Sequence, residues 1–194
     1  MWAGTRKTII RSLWMTWEKG FGYALRWRSP CTLQYGICKL MLKRHSGDRI
    51  ECQDGTRIRS GDWVGELHLD NGKVLQLLQS GGSDRAALHV ARMARDSLRQ
   101  ISDALETKPE LSQVKALIGV TLLHRGITHG LGFERHPLRP GAFRRLSTSY
   151  LRLLLSAMHP DGTRRIGLRK EQLVPIMLVH TRASLKERFA PAPG

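Results

Sequence analysis

Acidic residues are scarce in this chain: 16 Asp and Glu stand against 32 Lys and Arg, a formal net charge of +16 over 194 residues. A surface of that sign favours phosphates, acidic lipids or polyanions, and it sets the class of partner rather than the fold. Cysteine is scarce too. Cys31, Cys38 and Cys52 are odd in number and show no CxxC or other metal-ligand spacing, so a disulfide framework is not expected and a reducing, cytoplasmic compartment is. Long hydrophobic runs are missing. Charge interrupts the apolar stretches well short of a membrane span, and the N-terminus has no apolar h-region or small-residue cleavage site, so neither secretion nor a transmembrane helix is indicated. Aromatic residues make up 6% and are sparse beyond the N-terminal segment. With no helix-turn-helix or RNP-type signature either, nucleic-acid binding rests on charge alone and is not excluded.

The length suits one well-cored domain and is too short for two comfortable ones. Thr5 to Trp27 places Ile10, Leu13, Trp14, Trp17, Phe21 and Leu25 on one helical face, with Arg6, Lys7 and Arg11 among the intervening positions. Such a helix either lies in the headgroup region of an anionic membrane, through Arg6, Lys7, Arg11, Trp14 and Trp17, or packs its Trp face on the core. The expected organisation is a basic amphipathic helix over residues 1–28, a single α+β domain over 29–189 and a disordered tail over 190–194.

Beyond Ser29-Pro30 the chain turns to short strand-like runs. Leu33 to Arg44 reads as one strand and Arg49 to Gln53 as a second, with tight turns at Ser46-Gly47-Asp48 and Asp54-Gly55 before Trp63 to Leu69. An antiparallel meander is the simplest account. Asp70 is placed to cap a helix that starts at Asn71. Ser83 opens the clearest helix, in which Ala87, Ala91, Ala94, Leu98, Ile101 and Leu105 repeat at helical spacing opposite Arg85, Arg92, Arg95 and Arg99; Pro109 stops it. Val114 to Leu122 reads as a central strand, followed by a short helix from about Leu123, a strand over Phe133 to Leu138, a helix from Phe143 to Ala157 and a last strand at Ile176 to Val179. Ser184-x-x-Glu187 has the form of a capping box for a final helical turn. Together these give an α+β fold, a mostly antiparallel sheet of about five strands with helices packed mainly on one face.

Candidate site residues collect where strands give way to helices. Glu66 and His68 alternate onto one strand face, and their pairing would raise the imidazole's basicity. Asn71 follows at the next helix start. Thr121, His124 and Arg125 come at the end of the central strand, a hydroxyl, an imidazole and a guanidinium that can hold an anionic group. Glu134 and His136 again share a strand face and can join His68. The expected ligand-binding set is therefore His68, Asn71, Thr121, His124, Arg125 and Glu134. No short-range ligand motif points to a metal, no Ser sits on a nucleophile elbow, and Cys52 beside Glu51 lacks electropositive activation. No cofactor is expected.

The order Asp54-Gly55, Gly61-Asp62, Glu66-Leu67-His68-Leu69-Asp70-Asn71, Lys115 to Thr121, Arg125-Gly126 and Leu131-Gly132-Phe133-Glu134 resembles the bacterial YkoP-like domain family over roughly residues 8 to 140. That resemblance implies a cell-envelope context, since such domains stand alone or are attached to polysaccharide deacetylases, and it carries no established activity. The deacetylase domain and its metal motifs have no counterpart here. Three classes of function follow. The preferred one is a non-enzymatic accessory domain that binds an anionic envelope lipid or glycan precursor, cytoplasmic and peripheral on the inner membrane face, with envelope-polysaccharide enzymes as possible partners. The second is an acyltransferase using an acyl-CoA donor, because strand, helix and Leu-Gly-Phe echo the C-terminal half of the GNAT acetyltransferases, although their pyrophosphate loop is missing. The third is non-specific nucleic-acid binding.

Overall fold

The computed structural model describes residues 32–80, 83–121, 130–158 and 174–190. Its elements run β1 (Thr32–Tyr35), β2 (Cys38–Arg44), β3 (Ile50–Glu51), β4 (Arg57–Ile58), β5 (Trp63–Leu69), α1 (Asn71–Ser80), α2 (Ser83–Thr107), β6 (Ala116–Thr121), β7 (Glu134–Pro137), α3 (Ala142–Met158), β8 (Ile176–Thr181) and α4 (Arg182–Phe189), with a 3-10 turn at Pro109–Leu111. Six strands, rather than five, form the main sheet in the order β1-β2-β5-β6-β8-β7. All neighbours are antiparallel except β5 and β6. The fold is α+β.

The extra strand comes from Gly36. Leu33 to Arg44 is not one strand but a hairpin, because Gly36 takes a φ of +53° that a side chain disfavours and reverses the chain. A Cβ there would also lie 2.6 Å from Ser97 Oγ. That hydroxyl accepts the Ile37 amide at 3.1 Å and donates to the Met93 carbonyl, so the turn is pinned to α2. The expected meander is absent as well. β3 and β4 form a separate two-stranded ribbon, and β2 passes over them to pair with β5.

Strand alternation gives the sheet two unlike faces. Leu40, Leu42, Leu67 and Leu117 meet the apolar stripe of α2, where Val90, Ala94, Leu98, Ile101 and Leu105 are buried, together with Leu185 and Phe189 of α4. Each such side chain contributes about 1.5–3 kcal/mol by leaving water. The opposite face is covered over part of its area by the β3–β4 ribbon, whose Ile50, Cys52 and Ile58 pack on Val64, Ala116, Ile118 and Val179. Central β6 is buried on both sides at Ala116, Leu117 and Ile118, as its unbroken apolar run requires. Edge strand β7 ends in Pro137, whose missing N–H is tolerated there.

Two polar devices lock the ends. Arg182 donates to Glu106 at 2.9 Å, to the Ser112 carbonyl at 2.7 Å and to the Leu105 carbonyl, closing the C-terminus of α2 against α4. α4 is capped by Thr181, whose hydroxyl accepts the Ser184 amide at 3.0 Å. The box therefore begins at Thr181, at the end of β8, and not at Ser184: the strand runs two residues past Val179 and the helix starts earlier. Phe143 and Leu146, which share a side of α3, are 62% and 70% exposed.

Candidate functional site

Parallel strands β5 and β6 are held together at only three positions, Val64↔Ala116, Gly65↔Leu117 and Glu66↔Ile118. Beyond these, each keeps its outer partner and not the other. β5 stays paired to β2 as far as Leu69, and β6 to β8 as far as Thr121. A Cβ on Gly119 would lie 3.3 Å from the Leu67 carbonyl oxygen, so the strands are still close there. In sheets with parallel strands, ligands enter at such carboxyl-end crevices. His68 stands near the end of β5, Asn71 opens α1, and Thr121 ends β6. The topology thus brings these three expected residues to one edge. The alternation places His68 and Val120 on the ribbon side of the sheet and Thr121 on the helix side. His124 and Arg125, a few residues further along the chain, lie outside the described residues, as do Arg6, Lys7, Arg11, Trp14 and Trp17.

Glu66 is the electrostatic anchor of this edge. Burial works against its ionisation, but His68 and Lys43 outweigh that and bring the carboxyl down to about 2. Lys43 forms an ion pair with it, and His68 Nε2 stands 3.5 Å from Oε1. That Nε2 is shielded from solvent and faces the Glu66 carboxylate. The start of α1 is different. Asp70 Oδ1 accepts the Gly72 amide at 3.1 Å and the Lys73 amide at 3.2 Å, and Lys39 pairs with its other oxygen at 3.2 Å. A carboxylate already fills the seat where a helix N-terminus would take a phosphate.

Glu134 and His136 share the face of Glu66 and His68 but sit elsewhere. Glu134 pairs with Val179, which pairs with Ile118, which pairs with Glu66. Three strand spacings separate the two carboxylates, about 14 Å. Between them runs an apolar strip of Ile118, Val120, Met177 and Val179. Glu134 therefore does not adjoin His68; its neighbours are His136, at 3.2 Å from Nε2, and the Gln53 amide, which bonds both carboxylate oxygens at 3.0 Å. Cys52 lies beside them. Its thiol is raised to about 11 by burial and by the charges of Glu134 and Asp54, the opposite of what a nucleophile needs.

Sequence spacing gives only a weak sign of one further group. His180 Nδ1 lies 2.7 Å from Ser184 Oγ, and the Thr181 hydroxyl donates to Asp54 at the tip of the ribbon. A Ser–His contact after a strand has the outline of a nucleophile and its base. This one is scaffold: His180 is 1% exposed, its ring packs edge-on to Phe133 at 5.2 Å, and burial pulls its pKa down to about 4. The i, i+4 spacing across a strand-to-helix junction is the available signal, and it is weak.

Among the described residues no helix is long and apolar enough to cross a membrane. The profile of the YkoP domain matches residues 7–189. A protein of Bacillus subtilis (strain 168), named Uncharacterized protein YkoP, is 26% identical over 129 residues, which is 66% of this chain and 70% of that one. No solved structure matches the chain. Since the profile takes in every strand of the sheet and every helix that packs on it, the chain belongs to the YkoP domain family.

Proposed function

We propose that this domain is a non-enzymatic accessory module that binds an anionic envelope lipid or glycan precursor at a membrane surface. The observation that carries the reading is that the ladder between parallel β5 and β6 ends at Glu66↔Ile118, with the Glu66–His68 pair beside the carboxyl end of β5. Arg125, four residues after Thr121 in the sequence, supplies the guanidinium for the anionic group, and His68, Asn71, Thr121 and His124 complete the proposed set. Glu134, about three strands away, takes no part in this contact. The exposed Phe143 and Leu146 next to Arg145, together with Arg6, Lys7, Arg11, Trp14 and Trp17 of the N-terminal segment, supply apolar and cationic contacts to the bilayer. The location that follows is cytoplasmic and peripheral on the inner membrane face.

The same crevice supports a second reading, acyl transfer from an acyl-CoA donor, because a parted parallel pair can admit an extended acyl arm. The filled α1 N-terminus weighs against it, since Asp70 stands where the donor's pyrophosphate would bind. Cosedimentation decides between them. The full chain should bind phosphatidylglycerol vesicles in a salt-sensitive manner and phosphatidylcholine vesicles weakly. Equal binding to both, or thiol release from acetyl-CoA that depends on the protein, overturns the accessory reading. Arg125→Ala should lose most vesicle binding with an unchanged melt. A stability loss of about 3–5 kcal/mol would instead make Arg125 a paired scaffold residue.

A further inference from the structure

Cys52, Glu134 and His136 come from segments more than 80 residues apart, yet one ligand atom from each lies within 4.8 Å of the others. The ribbon delivers Cys52 at the end of β3, and alternation along edge strand β7 turns Glu134 and His136 to that same side. A four-coordinate zinc holds neighbouring donors about 3.3–3.8 Å apart, given bonds of about 2.0–2.3 Å, so a contraction of at most about 1.5 Å closes the set. Charge fits as well: a thiolate and a carboxylate balance a divalent ion, with the imidazole neutral. The site also has an outer support, because the Gln53 amide grips Glu134 and fixes the carboxylate's plane.

We propose that Cys52 Sγ, a Glu134 carboxylate oxygen and a His136 ring nitrogen bind a divalent transition-metal ion of the zinc type, leaving a fourth position for water or an exogenous ligand. On binding, the Cys52 thiol gives its proton to solvent as the sulfur–metal bond forms, and no electron changes hands. Mixed sulfur, nitrogen and oxygen donors favour zinc or cobalt over magnesium or calcium. The ion would fasten the ribbon to β7, two elements that otherwise meet through Gln53 and Glu134. This site stands about three strands from the β5–β6 crevice and does not depend on the function proposed for it.

Cobalt reads the site directly. The full chain, stripped with a chelator, should take up one equivalent of Co²⁺ with a thiolate-to-cobalt charge-transfer absorption that zinc displaces. Cys52→Ser should abolish that absorption, while Cys31→Ser and Cys38→Ser keep it. His136→Ala should weaken cobalt binding by at least about tenfold. Absence of the absorption in the unsubstituted chain, or its survival in Cys52→Ser, overturns the site. Should Cys52→Ser fail to fold, alkylation of the unsubstituted chain decides: zinc must slow modification of Cys52 and not of Cys38, and an unchanged Cys52 rate overturns the proposal.

Discussion

The two faces of the sheet are built from the same strands and do different work. Under α2 and α4, Leu40, Leu98, Ile101, Leu117 and Leu185 are fully enclosed, and His180 is held neutral there between the rings of Phe133 and Phe189. Beneath the ribbon the core is smaller, and past its rim the same strands carry Lys43, Glu66, His68, Glu134 and His136. Helices cover the middle of one face because a 25-residue amphipathic helix packs on it. Two strands of two residues cover less, so the other face keeps polar chemistry at its margins. The apolar core is concentrated on one side and the polar side chains on the other.

The widest separation between the faces should appear in core truncation. Leu98→Ala, on the helix side, should cost about 2–5 kcal/mol, since Leu98 of α2 is 1% exposed and belongs to the core cluster that α2 forms with the sheet. Val120→Ala, on the ribbon side and half-buried, should cost under about 1 kcal/mol. Urea melts of both variants measure the contrast. Equal losses would break it and show that Val120 is covered as tightly as Leu98.

Much of the helix side is legible in the sequence, and little of the other. The stripe from Ala87 to Leu105, the cap at Asp70 and the buried run at Ala116 to Ile118 are local patterns, set by spacing within one element. Gly36 illustrates the limit. Within Leu33 to Arg44 it looks like a glycine in a strand, and only the approach of Ser97, 61 positions away, shows why the chain must turn there. Likewise Cys52 stands next to Glu51 in sequence, and nothing local connects it to Glu134 and His136. That His68, Asn71 and Thr121 stand at the ends of elements is readable from the local pattern, whereas the three-strand gap to Glu134 depends on strand order.

A smaller effect should separate the faces by pH. His180 on the helix side has its pKa lowered from 6.5 to about 4 by burial. Between those values the unfolded chain binds a proton that the folded chain refuses, so stability declines as pH falls from 6.5 towards 4, by on the order of 2–3 kcal/mol. Glu66 on the other face is lowered from 4.5 to about 2. The stability it contributes is present above 4.5 and is lost between 4.5 and 2, and its size is reduced by the exposure of Lys43 and His68. Denaturant melts at closely spaced pH values should show two windows. His180→Gln should flatten the upper one alone, and Glu66→Gln the lower one alone. A single merged transition, unaffected by either substitution, would mean that neither group differs between the folded and unfolded chain.

The smallest effect belongs to the outer side of α2. Arg92, Arg95 and Arg99 are exposed there, opposite the stripe that packs on the sheet. A cationic series in that position is expected to be a solvated face, and each Arg→Gln change should alter stability by no more than about 0.5 kcal/mol. Replacing all three lowers the net charge from +16 to +13, which weakens every long-range attraction slightly without removing a specific contact. Affinity for a short single-stranded oligonucleotide, measured over a range of salt, tests whether more is involved. Counterion release ties the slope of log affinity against log salt to the number of phosphates contacted, about 0.7 for each on a single strand. The triple variant should keep the slope of the unsubstituted chain. A slope shallower by about 2, from three lost phosphate contacts, would make α2 a polyanion-binding element, and the division of labour would then run between the two sides of a helix as well as the two faces of the sheet.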